Sequence, residues 1–326
     1  MRFLKFIASV LVICVVIIAL LEYAYRNYST EADRVFKPYY AKANTVETIY
    51  IGNSHIGVFN ELYTKDVKEV GNMSLGGQDI FRMYTVLSTI VPTSPALKKV
   101  YMGLDYDLLG YNQTKSGQEY IDRQYYQYTD TLYNNTMTNR AMSSSHFFRS
   151  NRDIAYLFKK HDAVKEDLNF IPVASQPTPA ASSTSADTTK VAEVAKTEAP
   201  ALPHKVHDPF MCRKRAEEHT LLKFKQKNIA ENLAYLNEIV KICKQHNVQL
   251  IWFDPPKTEC YRGYSNKVVV EKARATIDSF AHAQNIPYLD FYSDSTFNDD
   301  LFVDYDHLNL TGVKMLDEKL KAQTVR

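Results

Sequence analysis

"IYIGNSHIGVF", residues 49–59, carries an apolar run straight into Gly52-Asn53-Ser54-His55, a turn with a serine at its tip. Residues 48–51 (Thr-Ile-Tyr-Ile) read as a buried strand that ends at Gly52. Whether Ser54 is an incidental turn residue or is placed to react depends on the elements after this strand and on which residues can reach its end.

Working outward, residues 67–70 read as a second short strand before Gly71-Asn72. Residues 80–91 carry apolar side chains at helical spacing until Pro92, and residues 98–104 ("KKVYMGL") read as a third strand. Ile229, Leu233, Leu236, Val240 and Cys243 recur at steps of four and three, the mark of an amphipathic helix that His246-Asn247 closes. Residues 248–253 ("VQLIWF") are then a fourth strand stopped by Asp254-Pro255-Pro256. A helix over 268–283, a fifth strand over 286–291 and a helix over 312–320 complete the pattern. Strands alternating with helices predict an α/β fold with a parallel sheet and helices on both faces. Ligands of such sheets bind beyond the carboxyl ends of the strands, where Ser54 is expected to lie.

The chain has 326 residues, 45% hydrophobic and 23% charged, enough to bury a sizeable core. A net charge of +2, with no long basic run, argues against a nucleic-acid partner. Residues 6–21 are apolar apart from Ser9, a short but sufficient membrane span if Lys5 snorkels. A signal peptide would have a similar apolar core, but no A-x-A cleavage site comes after it, so an uncleaved anchor is expected. Basic residues flank the stretch on both sides and do not fix its orientation. The short tail before it and the long domain after it favour an extracytoplasmic domain, periplasmic or at the cell surface.

Residues 174–203, rich in Ala, Ser, Thr and Pro and free of aromatics, read as a disordered loop. The organisation expected is therefore an anchor and flank over 1–27 and a single domain over 28–326. An insertion over 110–215 interrupts that domain and contains the loop. Tyrosines cluster in the insertion between Tyr111 and Tyr133; buried they fill a core, exposed they suit sugar rings. Of the four cysteines, Cys14 lies in the apolar stretch and Cys243 in a helix. Cys212 and Cys260 have no spacing signature, and their pairing stays open. No C-x-x-C occurs, and the acids Asp299, Asp300, Asp304 and Asp306 lack the glycine and closing glutamate of a calcium loop, so neither metal nor cofactor is expected.

A serine becomes a nucleophile when a base takes its proton and a third group orients the base. "FVDYDHLNLTG", residues 302–312, offers Asp304 and His307 on one loop. A carboxylate at Asp304 can hold one ring nitrogen of His307 and leave the other for Ser54. "GNMSLGGQD", residues 71–79, passes through Gly76-Gly77 into a helix N-terminus, where free N–H groups suit an oxyanion. His55, beside Ser54, reads as a loop histidine, and Asp306 is an alternative orienting acid. Each motif alone is commonplace; their order and placement together raise the odds of a triad.

The arrangement resembles the SGNH (GDSL-type) serine hydrolases and acyltransferases. Gly52-Asn53-Ser54 stands for their Gly-Asp-Ser, Asn72 to Gly77 for the glycine-bearing second block, and Asp304-Tyr305-Asp306-His307 for the C-terminal Asp-x-x-His. The resemblance implies a flavodoxin-like three-layer sandwich, to which this chain adds the N-terminal membrane helix and the large insertion after the third strand. It implies Ser54 as nucleophile, His307 as base and Asp304 as its orienting acid. The Ser54 and Gly77 N–H groups would form the oxyanion hole, with Asn72 assisting.

The third block departs from the pattern: where the family has Gly-x-Asn-Asp, this chain has Gly103-Leu104-Asp105-Tyr106, and an ionised Asp105 cannot donate to an oxyanion. A neutral, buried Asp105 would favour an enzyme. A charged one facing Ser54 would favour a catalytically weak adaptor that holds a glycan or a membrane acyltransferase. The anchor together with "NVQLIWFDPPK" and "DYDHLNLTG" is similar to the membrane-anchored DltD-like branch of lipoteichoic-acid D-alanylation. That likeness implies an esterase or O-acyltransferase acting through an acyl-Ser54 intermediate on an acylated glycan or acyl donor of the cell envelope. The expected partner is a membrane-bound O-acyltransferase.

Overall fold

The computed structural model describes residues 2–63, 69–116, 119–150 and 208–324. The loop expected over 174–203 lies outside the described residues. In chain order the helices before the sheet are α1 (Arg2–Tyr25) and α2 (Glu31–Tyr40). Then come β1 (Thr48–Ile51), α3 (Ser54–Gly57), β2 (Val70–Asn72), α4 (Ile80–Ile90) and β3 (Lys99–Gly103). The insertion contributes α5 (Glu119–Thr129), α6 (Met137–Ser144), α7 (His146–Ser150) and α8 (Pro209–Glu217). The chain continues through α9 (Ile229–Gln245), β4 (Gln249–Asp254), α10 (Glu259–Tyr264), α11 (Lys267–Gln284), β5 (Tyr288–Asp290) and α12 (Leu310–Thr324).

Among the described residues one five-stranded sheet forms, all neighbours parallel, in the order β2-β1-β3-β4-β5. This is the flavodoxin-like winding, in which the connections reverse direction between β1 and β3 and open a crevice at their carboxyl ends. The two-residue period of the strands sorts their side chains onto two faces. Ile49, Ile51, Val100, Met102, Leu250 and Trp252 pack under α2, α4, α9 and α11. Tyr50, Tyr101, Ile251 and Phe253 point the other way, against Phe59 and the Val313, Leu316 and Leu320 stripe of α12. The result is the three-layer α/β sandwich expected from the alternation. β2 begins at Val70, paired with Thr48, and so sits later than the expected 67–70; residues 67 and 68 lie outside the described residues.

Local signals set the helix limits. Thr30 and Asp33 form a reciprocal capping box at the start of α2. Asp79 caps α4 by accepting from the Arg82 N–H at 2.9 Å. Asn285, at φ 55°, ends α11 in the left-handed conformation that Asn tolerates.

The described part of the insertion is woven into the same core. Ile121 and Tyr125 of α5 are buried with the α2 and α4 side chains, and Arg82 pairs with Asp122 out of solvent. The Phe36 and Tyr128 rings stack at 4.4 Å. Tyr111 is also buried, so Tyr111 and Tyr125 fill a core, while Tyr120, Tyr126, Tyr128 and Tyr133 are half-buried. α1 is long and apolar enough to cross a membrane. Its last turn joins the fold: Glu22 accepts from the N–H groups of His146 (2.8 Å) and Phe147 (3.4 Å) and from the Ser145 hydroxyl, and Tyr25 meets the Phe147 ring at 5.3 Å. A disulfide joins Cys212 of α8 to Cys260 of α10.

Candidate active site

β1 ends at Ile51, and the chain turns through Gly52 and Asn53 into α3, whose first residue is Ser54. Asn53 caps that short helix, its side-chain oxygen accepting from the His55 N–H at 3.0 Å. The turn can lie this close to the sheet because two glycines flank Ile56. A Cβ on Gly52 or on Gly103 would fall 2.3 Å from Ile56 Cγ1. Ser54 is thus seated at the carboxyl ends of β1 and β3, the switch point of the sheet, and is partly exposed.

The loop before α12 brings the expected partners to it. His307 Nε2 lies 2.9 Å from Ser54 Oγ, and His307 Nδ1 lies 3.0 Å from both oxygens of Asp304. Asp304 Oδ1 also accepts from the N–H groups of Asp306 (3.1 Å) and His307 (2.8 Å), which fixes the carboxylate and the loop together. Burial opposes charging of the His307 ring, but the Asp306 and Asp304 carboxylates outweigh it and raise the ring to about 9. Burial also works against the Asp304 carboxylate, yet the His307 ring and the hydrogen bonds it accepts hold it below its ordinary value.

Gly77 has φ 66°, which only a residue without a Cβ adopts freely, and this bend leads towards α4. Among the described residues, neither the Gly77 nor the Ser54 N–H donates to another group of the chain. Asn72 is engaged at both ends: its Nδ2 donates to the Ile56 carbonyl at 2.8 Å and its Oδ1 accepts from the Ser74 N–H at 3.0 Å. It ties the second loop to the serine turn.

One of the sequence readings needs correction and another extension. Asp105 is neither neutral nor a lone charge turned on Ser54. It is fully buried, with Lys257 Nζ at 2.6 Å from one oxygen and Asn53 Nδ2 and His55 Nδ1 at 2.9 Å from the other. Burial acts to neutralise it, but His55 and Lys257 hold the carboxyl well below its usual range. It is therefore an occupied acceptor and no part of an oxyanion hole. His55, read as a loop histidine, does lie in the serine turn and outside the triad, but it is not incidental. It is buried, with Nδ1 beside Asp105 and Nε2 2.9 Å from Asp306 Oδ2, and it bridges two carboxylates.

Asp306 in turn is reached by Arg215 from α8, whose Nε donates to its two oxygens at 3.0 and 3.2 Å. His219, just beyond α8, lies with Nδ1 3.6 Å from Asp306 and 2.8 Å from the Tyr261 hydroxyl. Lys257, Arg215 and His219 were not anticipated. The one signal for them was Asp105 itself, since a buried carboxylate demands a cation that the sequence does not place next to it. His55, Asp306 and His307 bring ligand-type atoms within 4.8 Å of one another. Those atoms are already paired, and two cations stand against the cluster, Lys257 beside His55 and Arg215 on Asp306. The residues present do not suit a metal.

No protein-family model matches the chain, and no curated protein matches it. Solved structures similar to it include a protein of Bacteroides fragilis NCTC 9343 provisionally termed an acylhydrolase and a GDSL-like lipase of Bacteroides thetaiotaomicron VPI-5482. Each is 8% identical with a TM-score of 0.41, and the matches cover 91% and 90% of this chain and 96% of each of those chains. Likeness of that degree says nothing about individual residues of the site.

Proposed function

We propose that this protein is a membrane-anchored serine esterase or O-acyltransferase of SGNH type. The observation that carries the reading is the continuous chain Ser54 Oγ–His307 Nε2–Nδ1–Asp304, at 2.9 and 3.0 Å, with the serine partly open to solvent. Neutral His307 takes the Ser54 proton on Nε2 while Oγ attacks an ester carbonyl. The tetrahedral oxyanion is received by the Ser54 and Gly77 N–H groups. As the intermediate collapses, His307 returns its proton to the departing alcohol and leaves an acyl-Ser54 ester. His307 then activates water, for hydrolysis, or a second hydroxyl, for transfer. Asp304 keeps Nδ1 protonated and the ring in register throughout.

An extracytoplasmic domain acting on acylated envelope glycans, beside a membrane-bound O-acyltransferase in the manner of the DltD-like branch, is the substrate class we favour. An uncleaved anchor is supported by the way Glu22 and Tyr25 at the end of α1 are built into α7; removal of α1 would strip those partners from Ser145, His146 and Phe147. The adaptor reading rests on the missing third oxyanion donor at Asp105, which is a charged, occupied acceptor; its pairing with Lys257 and His55 means only that this charge is not turned on Ser54.

The test is labelling of the full chain in detergent with a fluorophosphonate, the adduct located by mass spectrometry. An adduct on Ser54 that is lost in Ser54→Ala and His307→Ala is expected. A folded wild type that stays unlabelled across pH 6–10 would remove the enzyme reading and leave the adaptor.

A further inference from the structure

Behind the triad stands a second carboxylate that the reaction does not require. Asp306 has no exposed side-chain surface, whereas the Asp304 side chain is 34% exposed. Both flank the same ring nitrogen: His307 Nδ1 is 3.0 Å from Asp304 and 3.4 Å from Asp306 Oδ1. Water screens the first charge but not the second, so Asp306 acts on His307 through a medium of low dielectric. What the ring feels from Asp306 therefore depends on how far that charge is already satisfied. The guanidinium of Arg215 meets both Asp306 oxygens, sharing Oδ2 with His55 Nε2, with 28% of its own side chain exposed.

We propose that Arg215 and Asp306 are positioning residues of the triad: by occupying Asp306, the Arg215 guanidinium sets how tightly His307 keeps its proton and hence how readily it accepts the one from Ser54. This rests on the assignment of Ser54 and His307 as nucleophile and base. Among the described residues the other charged or titratable groups at the ring are Asp304 on its own loop and His55 on α3, with ring centres 4.6 Å apart, while His219 beyond α8 lies against Asp306. Lys257 after β4 and Asp105 after β3 act on the ring through His55. Of these, Arg215 is the one full cation on Asp306 itself. Its placement is also covalently secured. Cys212, one turn earlier on α8, is bonded to Cys260, so the helix that delivers the arginine is stapled to α10.

The sign is given by Coulomb's law. Removing the Arg215 charge leaves Asp306 more negative towards His307, and the ring should hold its proton to higher pH. Removing the Asp306 charge should release the proton at lower pH. We would titrate the His307 imidazole by NMR in the full chain in micelles and monitor fluorophosphonate labelling against pH in parallel, for wild type, Arg215→Gln, Arg215→Lys and Asp306→Asn. The midpoint is expected to rise by about one pH unit in Arg215→Gln, to fall by about one unit in Asp306→Asn, and to return close to wild type in Arg215→Lys. The labelling limb should move with it.

A merely structural role for Arg215 would lower labelling at every pH and leave the midpoint in place. Midpoints that stay put, or move in the same direction in both charge-removing variants, overturn the proposal even if wild type labels normally. A wild type that never labels overturns the nucleophile itself and, with it, this role. If one variant fails to fold, the direction of the other decides.

Discussion

His307 and His55 are neighbours with ring centres 4.6 Å apart, and each lies between carboxylates, yet their surroundings differ in one respect that decides their chemistry. His307 keeps one nitrogen for a partly exposed hydroxyl, Ser54 Oγ. His55 has both nitrogens within 2.9 Å of buried carboxylates, Asp105 and Asp306, with Lys257 Nζ a further neighbour at 3.0 Å. A histidine beside an acid is therefore not in itself a catalytic feature. The outer set spends its polarity on a group that substrate can reach, and the inner set on holding three loop ends together at the switch point of the sheet.

The sharpest way to break this comparison is to remove one member from each set. His307→Ala should cut the rate of Ser54 acylation by about 10⁴-fold or more, because nucleophile and base act as a unit. Lys257→Met should act on folding instead. It leaves Asp105 buried beside His55 without its cation, a loss on the order of 3–5 kcal/mol in chemical denaturation. The fraction that remains folded should still label. Were Lys257→Met to keep full stability and lose labelling as completely as His307→Ala, the inner set would belong to the reaction and the distinction between the two sets would fail.

The same division explains what could be read from the chain. The strand into Gly52-Asn53-Ser54, the glycine turn at Gly76-Gly77 and the Asp304/His307 spacing are local patterns, each within a few residues, and the strand–helix alternation orders them around one sheet edge. All of that was legible. The inner set is held by pairs that are local in nothing: Asp105 comes after β3, Lys257 after β4, and Arg215 arrives from the far end of the insertion. Asp105 was visible as a departure from the family pattern but not as half of an ion pair. His55 looked incidental because its two partners come from different loops. The Cys212–Cys260 pairing stayed open for the same reason, since only the packing of α8 on α10 brings the sulfurs together.

The smallest expected effect is in the pH dependence of stability, and there the two regions should pull in opposite directions. His307 is raised from the usual 6.5 to about 9 despite burial, through Asp306 and Asp304. Between those values the folded chain binds a proton that the unfolded chain has lost, so its contribution is complete below pH 6.5 and disappears as pH rises through 9. His219 is displaced the other way, first by burial and then by the Arg215 charge, and stays neutral well below 6.5. There the unfolded chain is the one that binds the proton, so this contribution is complete above pH 6.5 and is lost as pH falls. Taken by themselves the two histidines lower stability on both sides of pH 6.5, His307 on the alkaline side and His219 on the acid side, where buried Asp107, raised to about 6, works against it. His307→Gln should flatten the alkaline arm alone, by on the order of 1–2 kcal/mol in melts between pH 5 and 9.5, and His219→Gln should flatten the acid arm alone. If both variants flattened the same arm, the two histidines would share one charge environment, and the boundary between a reacting site and its buried support would not lie between them.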